Sequence, residues 1–337
     1  MNSVRIAGIA HYLPSGMLTG EAIGAGQPGW DMETLSRTVG IRSMPVSGEG
    51  EFSSHMAVSA ARRLLDDPRV DTDGIDYLIL VTQSPDFPLP TTACLVQDAL
   101  GLPQNIGAVD VRLGCSGYLY GLGLAKGLVA SGQAKKLLLL TSDVLTKLVN
   151  SNDKVTRPIV GDAATATLVV ASEGASSEIG SFVYGTDGTG AGALVVPNGS
   201  LRDGRDLNEQ SGVEQRSLDS QGYDVFMDGA TVSNFTLTVV PALVDDTLAK
   251  AGWAREDVDL FVFHQANQFL INHLRKKLGI DPIRFWMDME EVGNTGPSTI
   301  PLALSQSAER GVLRPGMKVL LAGFGIGLSW AGCALTW

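Results

Sequence analysis

Several short, continuous apolar runs alternate along the chain with segments whose apolar residues recur at helical spacing. The runs at 75–82 (IDYLILVT) and 136–141 (KLLLLT) carry apolar side chains at successive positions, as strands do when both of their faces are buried. Such strands lie in sheets that are covered by helices on both sides. The alternation therefore predicts a layered α/β protein.

The remaining predicted elements follow the same alternation. Predicted strands cover 4–10, 75–82, 108–113, 136–141, 164–171 and 260–263, and predicted helices cover 53–65, 91–100, 118–131 and 232–251. From 185 to 222 the pattern fades into Gly, Asp, Ser and Gln around a short apolar island at 194–196, which predicts a connection between two parts of the chain.

The chain ends in 19 uncharged residues, 319–337, a length that could cross a bilayer. Four glycines interrupt this stretch, and no anchoring charge follows it. The stretch therefore favours two buried strands joined by a glycine-rich turn over a membrane span.

Charge and cysteine content exclude several classes of function. With 25 basic and 36 acidic residues the formal net charge is −11, so general binding to nucleic acid or to an anionic membrane is not expected. Three cysteines without paired spacing indicate a reducing compartment, and hence a cytoplasmic location, rather than a disulfide framework. The histidines carry no zinc-binding spacing, so no metal site is predicted.

The two halves of the chain repeat each other. The segment 74–84 (GIDYLILVTQS) resembles 257–267 (DVDLFVFHQAN) in its acidic turn, apolar strand and polar end. Cys115 and Asn294 are each followed by a helix, a glycine turn, a lysine and an apolar strand. This repeat predicts an internal duplication, with an N-terminal half at 1–172 and a C-terminal half at 173–337.

Cys115 is a candidate nucleophile because a strand runs into it and a helix leaves it, between Gly114 and Gly117. Unpaired N–H groups at a helix N-terminus favour the thiolate, and the glycines let a substrate approach the sulfur. The alternative is an inert, buried cysteine. The local pattern leaves both interpretations open.

Three further segments place polar groups where a ligand could reach them. His264 directly follows an apolar strand, and Asn294 lies in a glycine-rich turn, although a core histidine and an ordinary turn asparagine are the alternatives. The loop at 323–330 (GFGIGLSW) could aim a backbone N–H at an oxyanion or form a simple hairpin turn. Cys, His and Asn together are a set used in nucleophilic catalysis.

Five motifs in order resemble β-ketoacyl-ACP synthase III of the thiolase superfamily. They are DVRLGCSGYLYG, VGDAATATLVV, FVFHQAN, GNTGPSTIPLAL and AGFGIGLSWAG, and the resemblance extends to GIR at 40–42 and PTTACLVQDALG at 90–101. It covers nearly the whole chain. It implies the thiolase fold, with duplicated halves in a five-layer αβαβα core, and a homodimer.

The resemblance also implies a mechanism. Cys115 would take an acyl group from acyl-CoA or acyl-ACP, while His264 and Asn294 would bind the thioester carbonyl of malonyl-ACP and stabilise the enolate formed on decarboxylation. The backbone N–H groups of Cys115 and Ile326 would form an oxyanion hole. No cofactor would be bound permanently, since CoA and the phosphopantetheine of the acyl carrier protein are substrates.

Several binding positions depart from the family pattern. The adenine-stacking Trp and Arg positions fall on Thr34 and Lys154, and Trp30 could substitute only if its loop is shifted. The remaining CoA-binding candidates implied by the resemblance are Arg37 and Asn267. Two carrier-docking cations are replaced by Phe269 and Asn234, and the aromatic residue that closes the partner's acyl pocket falls on Leu89, which could admit a longer or branched acyl group.

An acidic carrier must find a local basic patch on a protein of this charge, and Arg275, Lys276 and Lys277 supply one. The main interpretation is a decarboxylating condensing enzyme. The alternative is a non-elongating acyltransferase on the same fold, which moves the acyl group from Cys115 to a hydroxyl or an amine. A silent partner subunit and a papain-like hydrolase are disfavoured, because the Cys-His-Asn set is complete and a secreted, disulfide-rich context is absent.

Overall fold

The computed structural model describes residues 3–25, 27, 29–172, 179–197 and 224–337. Two five-stranded sheets form the frame of this part of the chain. The first contains β1 (Ser3–Tyr12), β4 (Tyr77–Val81), β5 (Gly107–Val111), β6 (Lys136–Asp143) and β7 (Ala163–Ser172), in the order β1-β7-β6-β4-β5. The second contains β8 (Ile179–Thr186), β11 (Leu260–Phe263), β12 (Phe285–Trp286), β13 (Lys318–Gly325) and β14 (Ser329–Thr336), in the order β12-β11-β13-β14-β8.

Two short antiparallel pairs and a set of helices complete the described ranges. The pairs join β2 (Gly16–Thr19) to β3 (Ser43–Val46) and β9 (Leu194–Val195) to β10 (Phe226–Met227). The α-helices are α1 (Gly20–Ala25), α2 (Met32–Val39), α3 (Ser53–Leu65), α4 (Thr92–Ala99), α5 (Gly117–Ala130), α6 (Gly229–Ala251), α7 (Gln268–Lys277) and α8 (Thr299–Glu309).

The helices and sheets stack in five layers. Buried side chains of α5 and α8 share one core with the facing sides of both sheets, so these two helices form the central layer. Helices α3 and α4 cover the outer face of the first sheet, and α6 and α7 cover the outer face of the second. The predicted αβαβα arrangement is confirmed.

Strand β4 shows why the apolar runs are continuous. Ile79 and Val81 pack into the central core, whereas Leu78 and Leu80 pack against the outer helices. All four side chains are at most 1% exposed. A strand with two buried faces favours apolar side chains at successive positions, and this accounts for the run at 75–82.

The strand order of the first sheet recurs in the second. Strands β4 and β6 are parallel neighbours, as are β11 and β13, and in each sheet an antiparallel strand follows. This common topology agrees with the internal repeat. The boundary at 172/173 remains a prediction: β7 ends at Ser172, and 173–178 lie outside the described residues.

Most element boundaries differ from the predicted ones by a few residues. Strand β5 ends at Val111 instead of 113, and β6 extends to Asp143. Helix α6 starts earlier than predicted because the Asp228 side chain accepts hydrogen bonds from the N–H groups of Ala230 and Thr231. It ends before Gly252, whose φ of +68° is left-handed.

The predicted connection at 185–222 falls partly outside the description. Strand β8 continues to Thr186, and the apolar island contributes β9, but residues 198–222 are not among the described residues. The chain ends in two buried strands, as predicted, with β13 and β14 antiparallel from Lys318–Thr336 to Gly325–Ser329. Among the described helices, none combines the length and the apolar character needed to cross a membrane.

Candidate active site

Cys115 lies in the loop that connects β5 to α5 and is 9% exposed. The glycine loop after β13 packs directly against it: a Cβ atom on Gly325 would lie 2.8 Å from both Cβ and Sγ of Cys115. The φ of +152° at Gly325 also disfavours any other residue. Glycine at this position therefore allows the two loops to meet at the sulfur.

The backbone N–H groups of Cys115 itself and of Ile326 lie close enough to the Cys115 sulfur to favour its thiolate. A chain of hydroxyls fixes the loop that carries Ile326. Ser329 Oγ donates to the Ile326 carbonyl at 2.7 Å and therefore accepts from Ser116 Oγ, also at 2.7 Å. These hydroxyls tie the Ile326 carbonyl to the residue that follows Cys115, and the oxyanion hole formed by the two N–H groups stays a prediction.

Burial of Cys115 opposes the thiolate that the helix N-terminus favours. Burial raises the pKa of the Cys115 thiol to about 11, although the two N–H groups act in the opposite direction. Removal of the sulfur from water disfavours the charged form more than the helix N-terminus favours it. The thiol is therefore neutral at physiological pH and needs a base when it reacts.

His264 directly follows β11 and is 2% exposed. Its Nδ1 lies 2.7 Å from Thr299 Oγ1, and the Thr299 hydroxyl donates its one proton to the Gly296 carbonyl at 3.1 Å. Nδ1 must therefore be the donor to Thr299, so the neutral ring carries its lone pair on Nε2. Burial lowers the pKa of His264 to about 3, which keeps the ring neutral.

Asn294 is held by its backbone and by one side-chain atom. Its N–H donates to the Ile159 carbonyl at 2.8 Å, and its carbonyl accepts from the Gly161 N–H at 3.0 Å. The side-chain Oδ1 accepts from the Gly296 N–H at 3.0 Å. This arrangement directs the carboxamide so that its NH2 group remains available as a donor.

Of the candidate catalytic residues, Cys115 and Asn294 meet at one cavity of about 360 Å³, whose lining does not include His264. Cys115, Asn294 and Ile326 line it, and its other walls are largely apolar, formed by Leu113, Leu145, Leu148, Val149, Ile159, Val160, Leu194, Val196, Val225 and Met227. His264 is linked to this cavity through Thr299 and Gly296, and its ring packs edge-on against Phe324, which precedes Gly325.

Of the predicted CoA-binding residues, Lys154 lies in a loop that contacts Gln27 and Trp30. Lys154 Nζ lies 5.5 Å from the centroid of the Trp30 ring, and Gln27 Nε2 donates to Asn152 Oδ1 at 2.6 Å, which joins the loops. Arg37 is exposed on α2. The Asn267 side chain accepts from the Leu270 N–H at 2.9 Å and so caps α7.

The predicted carrier-binding cations on α7 differ in their availability. The Arg275 guanidinium donates to Asn272 Oδ1 at 3.0 Å and to the Ile280 carbonyl at 2.9 Å, which ties it to the end of its own helix. Lys277 donates to the Leu237 carbonyl at 2.8 Å. Lys276 is exposed beside Arg37.

Leu89 lies in a surface loop and is 86% exposed, and nearby Phe87 is 53% exposed. Phe269, which stands at one of the lost cation positions, is 67% exposed at the start of α7. Residue Leu89 therefore does not line the cavity of its own chain.

The sequence interpretation missed several residues around the site, among them Thr299, Ser116, Ser329 and Gln83. Thr299 lies inside the GNTGPSTIPLAL motif, but nothing in the motif indicates that its hydroxyl meets His264. The sequence predicts Trp30 only as a substitute in a shifted loop, because its contact with Lys154 depends on two loops that are distant in sequence. No cluster of His, Cys, Asp and Glu in the described ranges could hold a metal ion.

Two family profiles match the chain. The profile of 3-oxoacyl-[acyl-carrier-protein (ACP)] synthase III matches residues 109–188, and that of its C-terminal part matches 248–337. A β-ketoacyl-[acyl-carrier-protein] synthase III of Streptomyces coelicolor is 36% identical over 98% of this chain and 96% of its own. A β-ketoacyl-[acyl-carrier-protein] synthase III of Caldanaerobacter subterraneus is 30% identical over 98% of this chain and 97% of its own.

Comparison with solved structures identifies the same family as the sequence relatives. A crystal structure of a 3-oxoacyl-(acyl-carrier-protein) synthase III superimposes with a TM-score of 0.93 at 42% identity, covering 99% of this chain and 100% of the other. A crystal structure of a 3-oxoacyl-(acyl carrier protein) synthase from Burkholderia xenovorans gives a TM-score of 0.92 at 33% identity, covering 99% of this chain and 94% of the other. The chain therefore belongs to the β-ketoacyl-[acyl-carrier-protein] synthase III family and is a condensing acyltransferase.

Proposed function

We propose that Cys115 accepts an acyl group from acyl-CoA and that the acyl-enzyme condenses with malonyl-ACP to give a 3-oxoacyl-ACP and CO₂. The observation that carries this proposal is the Cys115 thiol at the wall of the apolar cavity, with two backbone N–H groups close to it. An acyl chain fits such walls. The same N–H groups can bind the oxyanion that forms when the thiol attacks a thioester.

Acylation requires a base because the thiol is neutral. The Nε2 lone pair of His264 takes the thiol proton while the sulfur attacks the acyl carbonyl, and the tetrahedral oxyanion accepts hydrogen bonds from Cys115 and Ile326. Collapse of this intermediate breaks the bond to the CoA sulfur, which takes the proton from His264 and leaves as the CoA thiol, so the ring is neutral again. Each donor of an oxyanion hole is typically worth about 3–4 kcal/mol.

Condensation uses Asn294 and His264. The ring takes up a proton beside the malonyl carboxylate, because a nearby negative charge favours the imidazolium form. The malonyl thioester carbonyl accepts from the Asn294 NH2 group and from the Nε2–H of His264, so loss of CO₂ leaves an enolate bound to two donors. The enolate carbon attacks the acyl-Cys115 carbonyl, and the Cys115 thiolate leaves. His264 then returns its proton to that thiolate, which restores both neutral groups.

We place the adenine of CoA against the half-buried ring of Trp30, with Lys154 beside it to meet a phosphate. Stacking of a base on an aromatic ring is worth about 1–3 kcal/mol. Trp30→Ala should therefore raise KM for acyl-CoA about tenfold and leave kcat nearly unchanged, and Lys154→Ala should act in the same direction. Initial rates with an acyl-CoA and with an acyl-pantetheine thioester, which lacks adenine, provide the measurement.

Trp253 and Lys318 form a matched control pair, because their ring-to-Nζ distance of 5.2 Å is similar but they lie elsewhere on the surface. Trp253→Ala and Lys318→Ala should leave KM for acyl-CoA as it is. Equal KM values for acyl-CoA in Trp30→Ala and in the wild type would refute the placement of adenine.

The homodimer and the carrier surface are also part of the proposal. In the first sheet β5 is an edge strand, and the exposed Phe87 and Leu89 lie on the loop between β4 and α4. Pairing of two β5 edges would bury this surface and bring Leu89 to the partner's cavity.

For the acidic carrier we propose the face formed by Lys276, Arg37 and the exposed Phe269, with the protein in the cytoplasm.

The activity is tested with an acyl-CoA and malonyl-ACP as substrates, by quantifying CO₂, free CoA and the 3-oxoacyl product. We expect the three products in equal amounts. Transfer of the acyl group to an alcohol or an amine, without CO₂ release from malonyl-ACP, would overturn the proposal in favour of a non-elongating acyltransferase.

A further inference from the structure

Gln83 places an amide group inside the cavity close to Cys115. A Cβ atom on Gly114 would lie 2.5 Å from Gln83 Oε1, and one on Gly296 would lie 2.9 Å from Gln83 Nε2. The amide therefore spans the space between the residue before Cys115 and the turn that holds Asn294. The φ of Gly114 is not positive, so backbone conformation does not require glycine at this position. Glycine is required because the side chains of Gln83 and Ile326 occupy the space that a Cβ atom would need.

The backbone of Gln83 is clamped by a buried carboxyl group. Asp143 is fully buried, and its Oδ1 accepts hydrogen bonds from the Gln83 N–H at 2.8 Å and the Thr82 hydroxyl at 2.9 Å. The N–H and the hydroxyl of Ser84 also donate to this oxygen, at 3.0 and 2.8 Å. The amide thus extends from a fixed point, as a group that recognises a ligand must.

The Gln83 amide is available to a ligand in the cavity. Within the described part of the chain, neither its oxygen nor its nitrogen takes part in a hydrogen bond, and the cavity walls around it are mainly apolar. Of the other polar residues in the lining, Thr156 bonds Asp153, Arg112 is exposed to solvent, and Asn294 serves the second substrate in the proposed reaction. The amide is therefore left to face the acyl group.

We infer that Gln83 selects acyl groups that carry a hydroxyl close to the thioester, with an apolar remainder. This inference rests on the proposed function, since it concerns the acyl group attached to Cys115. An unsubstituted alkyl chain would remove water from the amide without replacing its hydrogen bonds, whereas an acyl hydroxyl would restore one of them. Beyond the amide, the leucine and valine walls fit the hydrocarbon part of the chain.

The test is a competition between acyl donors, read as intact-mass adducts on Cys115. Hexanoyl-CoA competes with 2-hydroxyhexanoyl-CoA and with 3-hydroxyhexanoyl-CoA, each supplied as both enantiomers. We expect at least one hydroxylated donor to acylate Cys115 about tenfold faster than hexanoyl-CoA, which is the effect of one hydrogen bond of ordinary strength. Gln83→Met, of similar length, should bring this ratio close to one.

Leu148→Ala provides the control for cavity size, since it should change the rates of all the donors together and leave their ratios as they are. Equal wild-type rates for hexanoyl and both hydroxylated donors would overturn the inference, and so would a preference that survives in Gln83→Met. Either result leaves the proposed function standing, because Cys115 is still acylated. Absence of an adduct with every donor would instead refute the proposed function, and the inference with it.

Discussion

Cys115→Ala is expected to abolish condensation, with a loss of at least about a thousandfold in the rate of 3-oxoacyl product formation. The physical reason is that the acyl group has no other place of attachment at the cavity, so the reaction cannot be divided into two steps. The side chain is small and lies in a loop, and its replacement should leave the fold unchanged. Product formation from acyl-CoA and malonyl-ACP is the measurement, with the melting temperature as a check on folding.

Cys94→Ala is the matched control, because Cys94 is also a free thiol but is exposed on α4. It should retain the wild-type rate. A Cys115→Ala variant that still forms product within tenfold of the wild-type rate would show that the acyl group does not pass through this sulfur.

Asn294→Ala is expected to separate the two steps of the reaction. The Asn294 NH2 group is proposed to bind the enolate oxygen, so its loss should slow decarboxylation of malonyl-ACP by about a hundredfold to a thousandfold. Acylation of Cys115 should change by only a few-fold, because the Cys115 and Ile326 N–H groups serve that step. Rapid-quench measurement of the acyl-enzyme and of CO₂ follows the steps separately.

His264→Ala should slow both steps, since the ring is proposed to take the thiol proton first and then to donate to the enolate. Asn105→Ala, at an exposed turn before β5, provides the control and should change neither step. If Asn294→Ala slowed acylation as much as decarboxylation, the assignment of Asn294 to the second substrate would be wrong.

Much of the fold was predictable because its strands are buried on both faces. Strand β11 and helix α3 have the predicted bounds, 260–263 and 53–65, since each apolar pattern begins and ends abruptly. The start of α6 was missed because it depends on an N-cap formed by Asp228 and not on apolar residues. Residues 112–113 were assigned to β5, but they turn out of the strand to bring Cys115 to the second glycine loop.

Parts of the candidate site could not be predicted because they depend on contacts between distant segments. The ionisation of Cys115 was expected from its neighbours in sequence, whereas its burial depends on Gly325, more than two hundred residues away. The lone pair on Nε2 of His264 follows from the Thr299–Gly296 hydrogen bond, which no local pattern shows. The cation–π contact of Trp30 with Lys154 likewise joins two loops that are far apart in the chain.

The net charge of −11 limits how the proposed carrier surface can attract an acidic partner. The whole protein repels an acidic partner, and two of the three basic residues at the end of α7 already donate to backbone carbonyls. Lys276 and Arg37 are exposed cations beside an exposed aromatic ring, Phe269. An interface with two cations and an aromatic ring depends less on charge than an interface with three free cations. Its affinity for the carrier should therefore be less sensitive to salt.

The most direct test of the central claim is a pulse–chase experiment on the acyl-enzyme, followed by intact mass. The protein is first incubated with an acyl-CoA, freed of excess donor, and then mixed with malonyl-ACP. We expect one acyl adduct at Cys115, which disappears as CO₂ and 3-oxoacyl-ACP are formed in equal amounts. An adduct on another residue, or one at Cys115 that persists through the chase, would contradict the account.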